Sequence, residues 1–334
     1  MHWTRFCALE WQGVCNVKYT VVIPAHNAAK FLASALESVR SQRLLPEVVI
    51  VVDDGSNDGT AGIAASYGAI VISNVTARGP SAARNAGVAA SSTELVAFLD
   101  ADDEWTPEHA EQTVGALVRP GVVFSAAPAT QIGAESGKVP VAEIGLDPLD
   151  LREMLMFENP IIQSGVVIRR DAFDSVGGYD ESMRFAEDYD LWNRVAEVGL
   201  FCPVRISSVR RRIHDDQLTM RFAPKMLAGA WDVRRRTATR RLLSLKEFEY
   251  AGMVGLLCKA ARREIAWAVW AGDPDYLSLV REELETTDDQ LQLRGVLAAE
   301  GGSSLLLKRF SQDVRCRAYD VRARLRRRRG PSGT

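Results

Sequence analysis

Between Tyr19 and Leu99, apolar residues form short unbroken runs separated by segments in which they recur every third or fourth position. The runs Tyr19–Pro24, Val48–Val52, Ala69–Ser73 and Leu95–Leu99 read as strands covered on both faces. Between them, Phe31, Leu32, Ala35, Leu36 and Val39 mark one face of a helix, and further helices are predicted after Thr60 and over Ser81–Ala90. Strand and helix in alternation predict an α/β fold, a Rossmann-like and mostly parallel sheet flanked by helices. Farther on, Val122–Phe124 and Ile161–Ile168 are apolar, and Gly177-Gly178 marks a turn. The pattern then predicts a helix from about Glu187 to Val198, with Leu191, Val195 and Val198 as its buried stripe, and a strand over Phe201–Ser207. From about Phe222 it is helical throughout, rich in Arg, Leu and Ala. The expected organisation is an N-terminal extension (1–16), a main domain (17–220), a helical C-terminal region (221–312) and an Arg-rich tail (313–334).

Sheets of this kind bind ligands beyond the carboxyl ends of their strands. Ala25-His26-Asn27, Asp53-Asp54-Gly55-Ser56 and Asp100-Ala101-Asp102-Asp103 each begin where a strand stops, so they are expected to converge on one edge. Solvated loop chemistry is the alternative. Neither a G-x-G-x-x-G after the first strand nor a G-x-x-x-x-G-K-[ST] is present, so phosphates here would need another counter-charge. An Asp-x-Asp holding Mg²⁺ or Mn²⁺ supplies one, since hard cations prefer carboxylate oxygen. Asp100 and Asp102 lie two apart and point the same way in extended chain; Asp103 points the other way.

Composition narrows the class. With 334 residues, 47% hydrophobic and 25% charged, the chain is long enough for a large domain plus an appendage, and disorder is not expected. Its formal charge of −2 conceals a basic end, because Asp313–Arg329 holds eight arginines against two aspartates. That segment is expected either to touch anionic lipid or to be a solvated terminus. It lacks the interleaved aromatics of a nucleic-acid surface, so no nucleic-acid partner is expected. The five cysteines contain no C-x-x-C pair, which argues against a disulfide framework or a zinc site. The opening residues carry Arg5 and Glu10 without the apolar run of a secretory leader, and no apolar stretch approaches a membrane span. A cytoplasmic location is expected, with peripheral contact at the inner face of the membrane if the tail binds lipid.

Six motifs carry a resemblance. VVIPAHN (Val21–Asn27), VVDDGSNDGT (Val51–Thr60), RGPSAARNAG (Arg78–Gly87), FLDADD (Phe98–Asp103), GGYDE (Gly177–Glu181) and AEDYDLW (Ala186–Trp192), in this order and spacing, resemble the family 2 glycosyltransferases. The resemblance covers about 200 residues, from Val17 to Thr219. It implies the GT-A fold and inverting transfer of a sugar from a nucleotide-diphosphate sugar to an acceptor hydroxyl, as in cell-surface polysaccharide or glycolipid synthesis. It further implies that Asp53 bonds the nucleobase, Arg84 closes over it, Pro24 and Asn27 line the same pocket, and Asp100 touches ribose or metal. Asp102 would be the principal ligand of Mn²⁺ or Mg²⁺. His214, in RRRIHDDQLT, would be a further ligand or a surface histidine, and Arg210 and Arg212 would neutralise leaving-group charge. Asp54 reads equally as a turn residue and as a binding residue.

Asp188 is the expected general base, since Glu187-Asp188 opens a helix whose dipole favours a charged carboxylate. A helix cap is the alternative reading. Glu187 and Trp192 are expected to shape the acceptor site, although a Trp at helical spacing is commonly core. The implied partners are a nucleotide-sugar donor and a carbohydrate or lipid-linked acceptor. A sugar nucleotidyltransferase, releasing pyrophosphate, and a non-catalytic nucleotide-sugar-binding scaffold are the rival readings.

Overall fold

The computed structural model describes residues 17–133, 137–138, 149–214, 223–242, 247–271 and 274–291. The N-terminal extension, the Arg-rich tail and the part of RRRIHDDQLT that follows His214 lie outside the described residues. Two compact units are present, one of Met1–Arg152 with Pro160–His214, the other of Glu153–Asn159 with Asp215–Thr334.

The first unit begins with β1 (Tyr19–Ala25), α1 (Leu32–Arg40), β2 (Val48–Asp54), α2 (Thr60–Ser66), β3 (Ile70–Asn74), α3 (Pro80–Ala90) and β4 (Leu95–Phe98). It continues through β5 (Glu104–Trp105), α4 (His109–Ala116), β6 (Val122–Ala126), β7 (Ala129–Gly133) and β8 (Gly137–Lys138). After α5 (Arg152–Phe157), which the division assigns largely to the second unit, come β9 (Val166–Arg169), α6 (Arg170–Ser175), α7 (Glu187–Val195), β10 (Leu200–Pro203) and β11 (Val209–Ile213). Seven strands form the main sheet in the order β10-β6-β9-β4-β1-β2-β3. All neighbours are parallel except β9, which runs antiparallel to both β4 and β6. This is the mostly parallel α/β sheet flanked by helices that the alternating pattern predicts.

Three of the four apolar runs are central strands, and Val21, Val22, Ile23, Ile50, Val51, Val52, Val96, Ala97 and Phe98 are all fully buried. The fourth, β3, is an edge strand with Ile70 53% exposed, so it is not covered on both faces as expected. Helix α1 buries Leu32, Ala35, Leu36 and Val39 on one face. Register then fixes the functional edge: Ala25 is opposite Asp53 and Val22 is opposite Phe98, so the residues following β1, β2 and β4 emerge side by side. Helix α3 lies close on β1. A Cβ added at Gly87 would come within 2.4 Å of Val22 Cγ1, a short branched side chain with no room to withdraw. Gly87→Ala is therefore expected to lower stability by about 1–3 kcal/mol through overpacking, read as a lower urea midpoint at unchanged slope.

Further details differ from the sequence reading, among them β10, which ends at Pro203 instead of Ser207. Helix α7 ends at Val195, and Val198 is 49% exposed instead of completing the buried stripe. A second, four-stranded sheet in the order β5-β11-β7-β8 is also present. Its strand β5 lies within the acidic stretch itself and pairs antiparallel with β11, setting Glu104 opposite Arg210.

In the second unit, α8 (Ala223–Leu242), α9 (Glu247–Ala271) and α10 (Pro274–Leu291) pack with Met156 around Leu227, Trp231, Leu257, Ala261, Val280 and Leu284. Buried ion pairs cross that core, among them Arg263 to Glu158 at 2.6 Å and Arg235 to Glu283 at 2.7 Å. Among the described residues no helix is long and apolar enough to cross a membrane.

Candidate active site

The edge formed by β1 and β2 is knitted by side chains binding backbone. Asn27 adopts a left-handed conformation (φ 50°), which asparagine tolerates well, and the turn hands its N–H to Ser56 Oγ at 2.8 Å. Its side-chain oxygen accepts the N–H of Asn57 at 3.0 Å, so the loops after β1 and β2 are one structure. Pro24 is half-buried in β1 beside this turn. Asp53 is buried and accepts the Ser56 N–H at 3.1 Å. Asp54 is fully engaged: its carboxylate accepts the backbone N–H groups of Arg78, at 2.9 and 3.0 Å, and of Gly79, at 2.7 Å, together with the Asn74 amide at 2.7 Å. It anchors the loop that launches α3, a role that neither sequence reading of Asp54 described.

Helix α3 in turn delivers Arg84. That residue, expected over a nucleobase, is only 5% exposed. One arm donates to Asp100 Oδ1 at 2.8 Å, the other to Glu187 Oε1 at 3.1 Å, and the guanidinium carbon lies 5.4 Å over the Tyr179 ring. A cation held between two carboxylates is worth most where water is scarce, and burial here is opposed and outweighed by Asp100, Tyr179 and Glu187, which raise the Arg84 pKa. One guanidinium thus joins the acidic turn after β4 to the first turn of α7.

Glu187 and Asp188 open α7 after Ala186, whose φ of 59° swings the chain into the helix. The Asp188 carboxyl is half-buried and accepts the Tyr189 N–H at 2.7 Å. Burial, with the neighbouring charge of Glu187, pushes its pKa up to about 7, against the opposing pull of the Tyr189 N–H and Arg84. A carboxylate balanced near neutrality is what a proton acceptor requires.

Asp102 and His214 meet although 112 positions separate them, with Asp102 Oδ2 and His214 Nε2 2.9 Å apart and both side chains partly exposed. Arg212 of β11 supports this meeting with backbone and side chain: its N–H donates to Asp103 Oδ1 at 2.9 Å and its Nε to the Asp102 carbonyl at 3.1 Å. Asp103 itself is turned inward, buried, and accepts the Ser164 hydroxyl at 2.6 Å, while burial and then the charges of Asp102 and Asp100 raise its pKa. Arg212 and Arg210 both pair with Glu104. The donor set of Asp102 and His214 fits a divalent cation: cis ligands of an octahedral ion with bonds near 2.1 Å lie about 3 Å apart. A carboxylate with an imidazole suits a transition ion such as Mn²⁺ better than Mg²⁺. Among the described residues no group of three or more His, Cys, Asp or Glu side chains is gathered to hold a metal.

Trp192 is not at the site. It is fully buried and stacks on Phe124 with ring centroids 5.8 Å apart and planes inclined 12°. Helical spacing explains the correction, because Trp192 follows Leu191 and precedes Val195 on the face of α7 that packs into the core. Four residues that the sequence reading missed hold the turn before α7. Asn85 exchanges hydrogen bonds with the Tyr179 backbone, both at 2.9 Å, and Arg194 donates to the carbonyls of Val176 and Gly178, both at 2.7 Å. Tyr179 donates its hydroxyl to Gln163 at 3.0 Å. The signal for Asn85 was its place one residue after Arg84; Arg194 and Gln163 gave none.

Comparison with known proteins bears on the family and the fold. Residues 20–177 match the family model described as Glycosyl transferase family 2. A "Pre-mycofactocin glycosyltransferase" from Mycobacterium tuberculosis is 34% identical over 220 residues, covering 63% of this chain and 45% of that protein. The chain thus spans under half the length of this relative. An "Amylovoran biosynthesis glycosyltransferase AmsE" from Erwinia amylovora is 29% identical over 189 residues, covering 54% of this chain and 70% of that protein. Among solved structures, S. aureus TarS 1-349 in complex with UDP-GlcNAc superposes with a TM-score of 0.66 at 17% identity, covering 93% of this chain and 92% of that one. A mannosyltransferase from Pyrobaculum calidifontis in complex with GDP-Man and Mn²⁺ superposes with a TM-score of 0.55 at 15% identity, covering 96% of this chain and 94% of that one.

Proposed function

Residues 20–177 form a glycosyl transferase family 2 domain, and from that premise we propose that the chain transfers a sugar from a nucleotide-diphosphate sugar to an acceptor hydroxyl with inversion at the anomeric carbon. The observation that carries the reading is the double ion pair of Arg84, which ties Asp100 in the acidic turn to Glu187 in the helix start that presents Asp188. Donor-side acids and the proton acceptor are thereby held in one rigid constellation.

In the proposed reaction the acceptor oxygen attacks the anomeric carbon from the face opposite the diphosphate. The new carbon–oxygen bond forms as the bond to the phosphate oxygen breaks. Asp188 takes the hydroxyl proton, late and in concert, because even a carboxylate near pKa 7 is far weaker than an alkoxide. Asp53, Asn27 and Pro24 would line the nucleoside end, and Asp100 would meet the ribose or the diphosphate. Asp102 and His214 would hold Mn²⁺ or Mg²⁺, which when bound supplies positive charge for the leaving diphosphate. The amylovoran likeness supports polysaccharide synthesis as the setting.

Screening nucleotide sugars by thermal shift with Mn²⁺ identifies the donor, since a ligand that binds only the folded state raises its melting temperature. A coupled assay must then detect nucleoside diphosphate, and release of pyrophosphate from a nucleoside triphosphate would replace this reading with nucleotidyl transfer. Asp102→Ala is expected to weaken Mn²⁺-dependent donor binding by about tenfold or more while leaving the melting temperature near that of wild type, measured by calorimetry. Donor affinity that is equal with and without the substitution removes Asp102 from the cation site.

A further inference from the structure

The His214 ring is held in an unusual way. Its Nε2 faces Asp102 Oδ2 at 2.9 Å, but its Nδ1 is buried and has no hydrogen-bond partner among the described residues. Histidines that bind metals are as a rule oriented by a hydrogen bond from the second nitrogen to a carboxylate or carbonyl. No such bond fixes this ring, yet a ring free to turn would not keep Nε2 on Asp102. An aromatic face takes the place of the bond: the Phe31 ring lies with its centroid 4.8 Å from that of His214, the planes inclined 36°.

Phe31 is well mounted for the task. It immediately precedes α1, its N–H donates to the Ala28 carbonyl at 2.9 Å, and its carbonyl accepts from Ser34 at 3.0 Å and Ala35 at 3.2 Å. Ala28 is itself pinned through its N–H to Thr60 Oγ1 at 2.9 Å. The same ring carries the Arg212 guanidinium 5.2 Å from its centroid, and Arg212 is the residue whose Nε donates to the Asp102 carbonyl. The Lys30 ammonium lies 4.9 Å from the centroid as well. One aromatic ring therefore contacts both elements that determine where Asp102 and His214 point, without being a ligand.

We propose that Phe31 is a positioning residue for the Asp102–His214 cation site, its ring face fixing the imidazole plane that a hydrogen bond would otherwise fix. The proposal rests on the reading of Asp102 and His214 as ligands given above. It does not place Phe31 in contact with donor, acceptor or cation. Ordinary packing would also account for a phenylalanine here, but packing alone predicts lost stability with unchanged metal affinity.

The test is titration of the full chain with Mn²⁺ alone, free ion being followed by electron paramagnetic resonance, in Phe31→Leu, Phe31→Tyr, His214→Ala and the double variant Phe31→Leu/His214→Ala. Melting temperatures are taken in parallel, and Phe31→Met, which keeps volume without an aromatic face, replaces Phe31→Leu should the latter fold poorly. Phe31→Leu is expected to weaken Mn²⁺ binding by about tenfold, in the range seen for outer-sphere partners of ligating histidines, and Phe31→Tyr to bind as wild type. The double variant is expected to bind no more weakly than His214→Ala, because a residue acting through the imidazole has nothing left to act on. Wild-type affinity in Phe31→Leu beside a weakened His214→Ala overturns the positioning role and leaves the cation site standing. So does a double variant that loses a further tenfold relative to His214→Ala. Wild-type affinity in both His214→Ala and Asp102→Ala overturns the cation site, and the proposal with it.

Discussion

Asp188→Asn is expected to lower the rate of transfer by about 10²–10⁴-fold while donor affinity stays at the wild-type value. The Asn side chain has nearly the same shape and its oxygen still accepts the Tyr189 N–H, so what is lost is the capacity to take a proton. Wild-type transfer should show the complementary pH dependence. The deprotonated form is the acceptor, so the rate falls as pH drops through about 7, the value to which burial and Glu187 raise Asp188. Stability moves the opposite way. A carboxyl whose folded pKa lies above its unfolded value adds stability that is fully present below about pH 4 and is lost as pH rises to about 7. Asn carries no charge, so the inactive variant is expected to be more stable than wild type above pH 7, by on the order of 2 kcal/mol, and to converge with it toward pH 4. Full turnover in Asp188→Asn at pH 8 would end the assignment of Asp188 as base. Equal melting curves at both pH values would show instead that its charge is not strained by the fold.

The second large effect is expected at Arg84. Removing a buried cation from between two carboxylates leaves both uncompensated, and losses of about 3–5 kcal/mol are typical of such breakage. Arg84→Met should therefore melt far below wild type, because Asp100 and Glu187 each lose a partner at 2.8 and 3.1 Å and Glu187 is drawn from the same side as Asp188. Arg84→Lys keeps the charge but not the fork, since one ammonium cannot reach both acids with the planar geometry of a guanidinium. The pH midpoint of transfer should rise in the methionine variant, for the Arg84 charge is one of the two influences holding the Asp188 pKa down, and should move less in the lysine variant, which keeps that charge. A methionine variant as stable as wild type would mean that these acids are satisfied by solvent. A methionine variant with an unmoved pH midpoint would separate Arg84 from the proton acceptor.

Strands β1, β2 and β4 were readable because they are buried on both faces and so appear as unbroken apolar runs, with acids and amides where they end. The placement of Asp53 and Asp100 at the same sheet edge followed from that alone. Antiparallel β9 was not legible: Val166–Arg169 is as apolar as its parallel neighbours, and strand direction is set by the route of the chain, not by composition. Nor was β5, two residues long within a stretch that reads as charged loop. Arg84 was misjudged because burial of an arginine depends on two acids, one 16 and one 103 positions away, that no local pattern connects. Trp192 was misjudged for the reverse reason, a local pattern of core spacing given less weight than its nearness to Glu187-Asp188. The approach of His214 to Asp102 was anticipated from the resemblance, but Phe31 beneath it looked like one more apolar position of α1.

The reversed strand β9 also bears on assembly order. Until Val166–Arg169 arrives, β4 has a partner only in β1, so the apolar ladder of Leu95–Phe98 stands as an open margin while the chain is still being synthesised. Such margins invite pairing with other chains. The half of the sheet built from β1 to β4 can therefore adopt its shape early, yet it stays prone to self-association until a segment far downstream seals it.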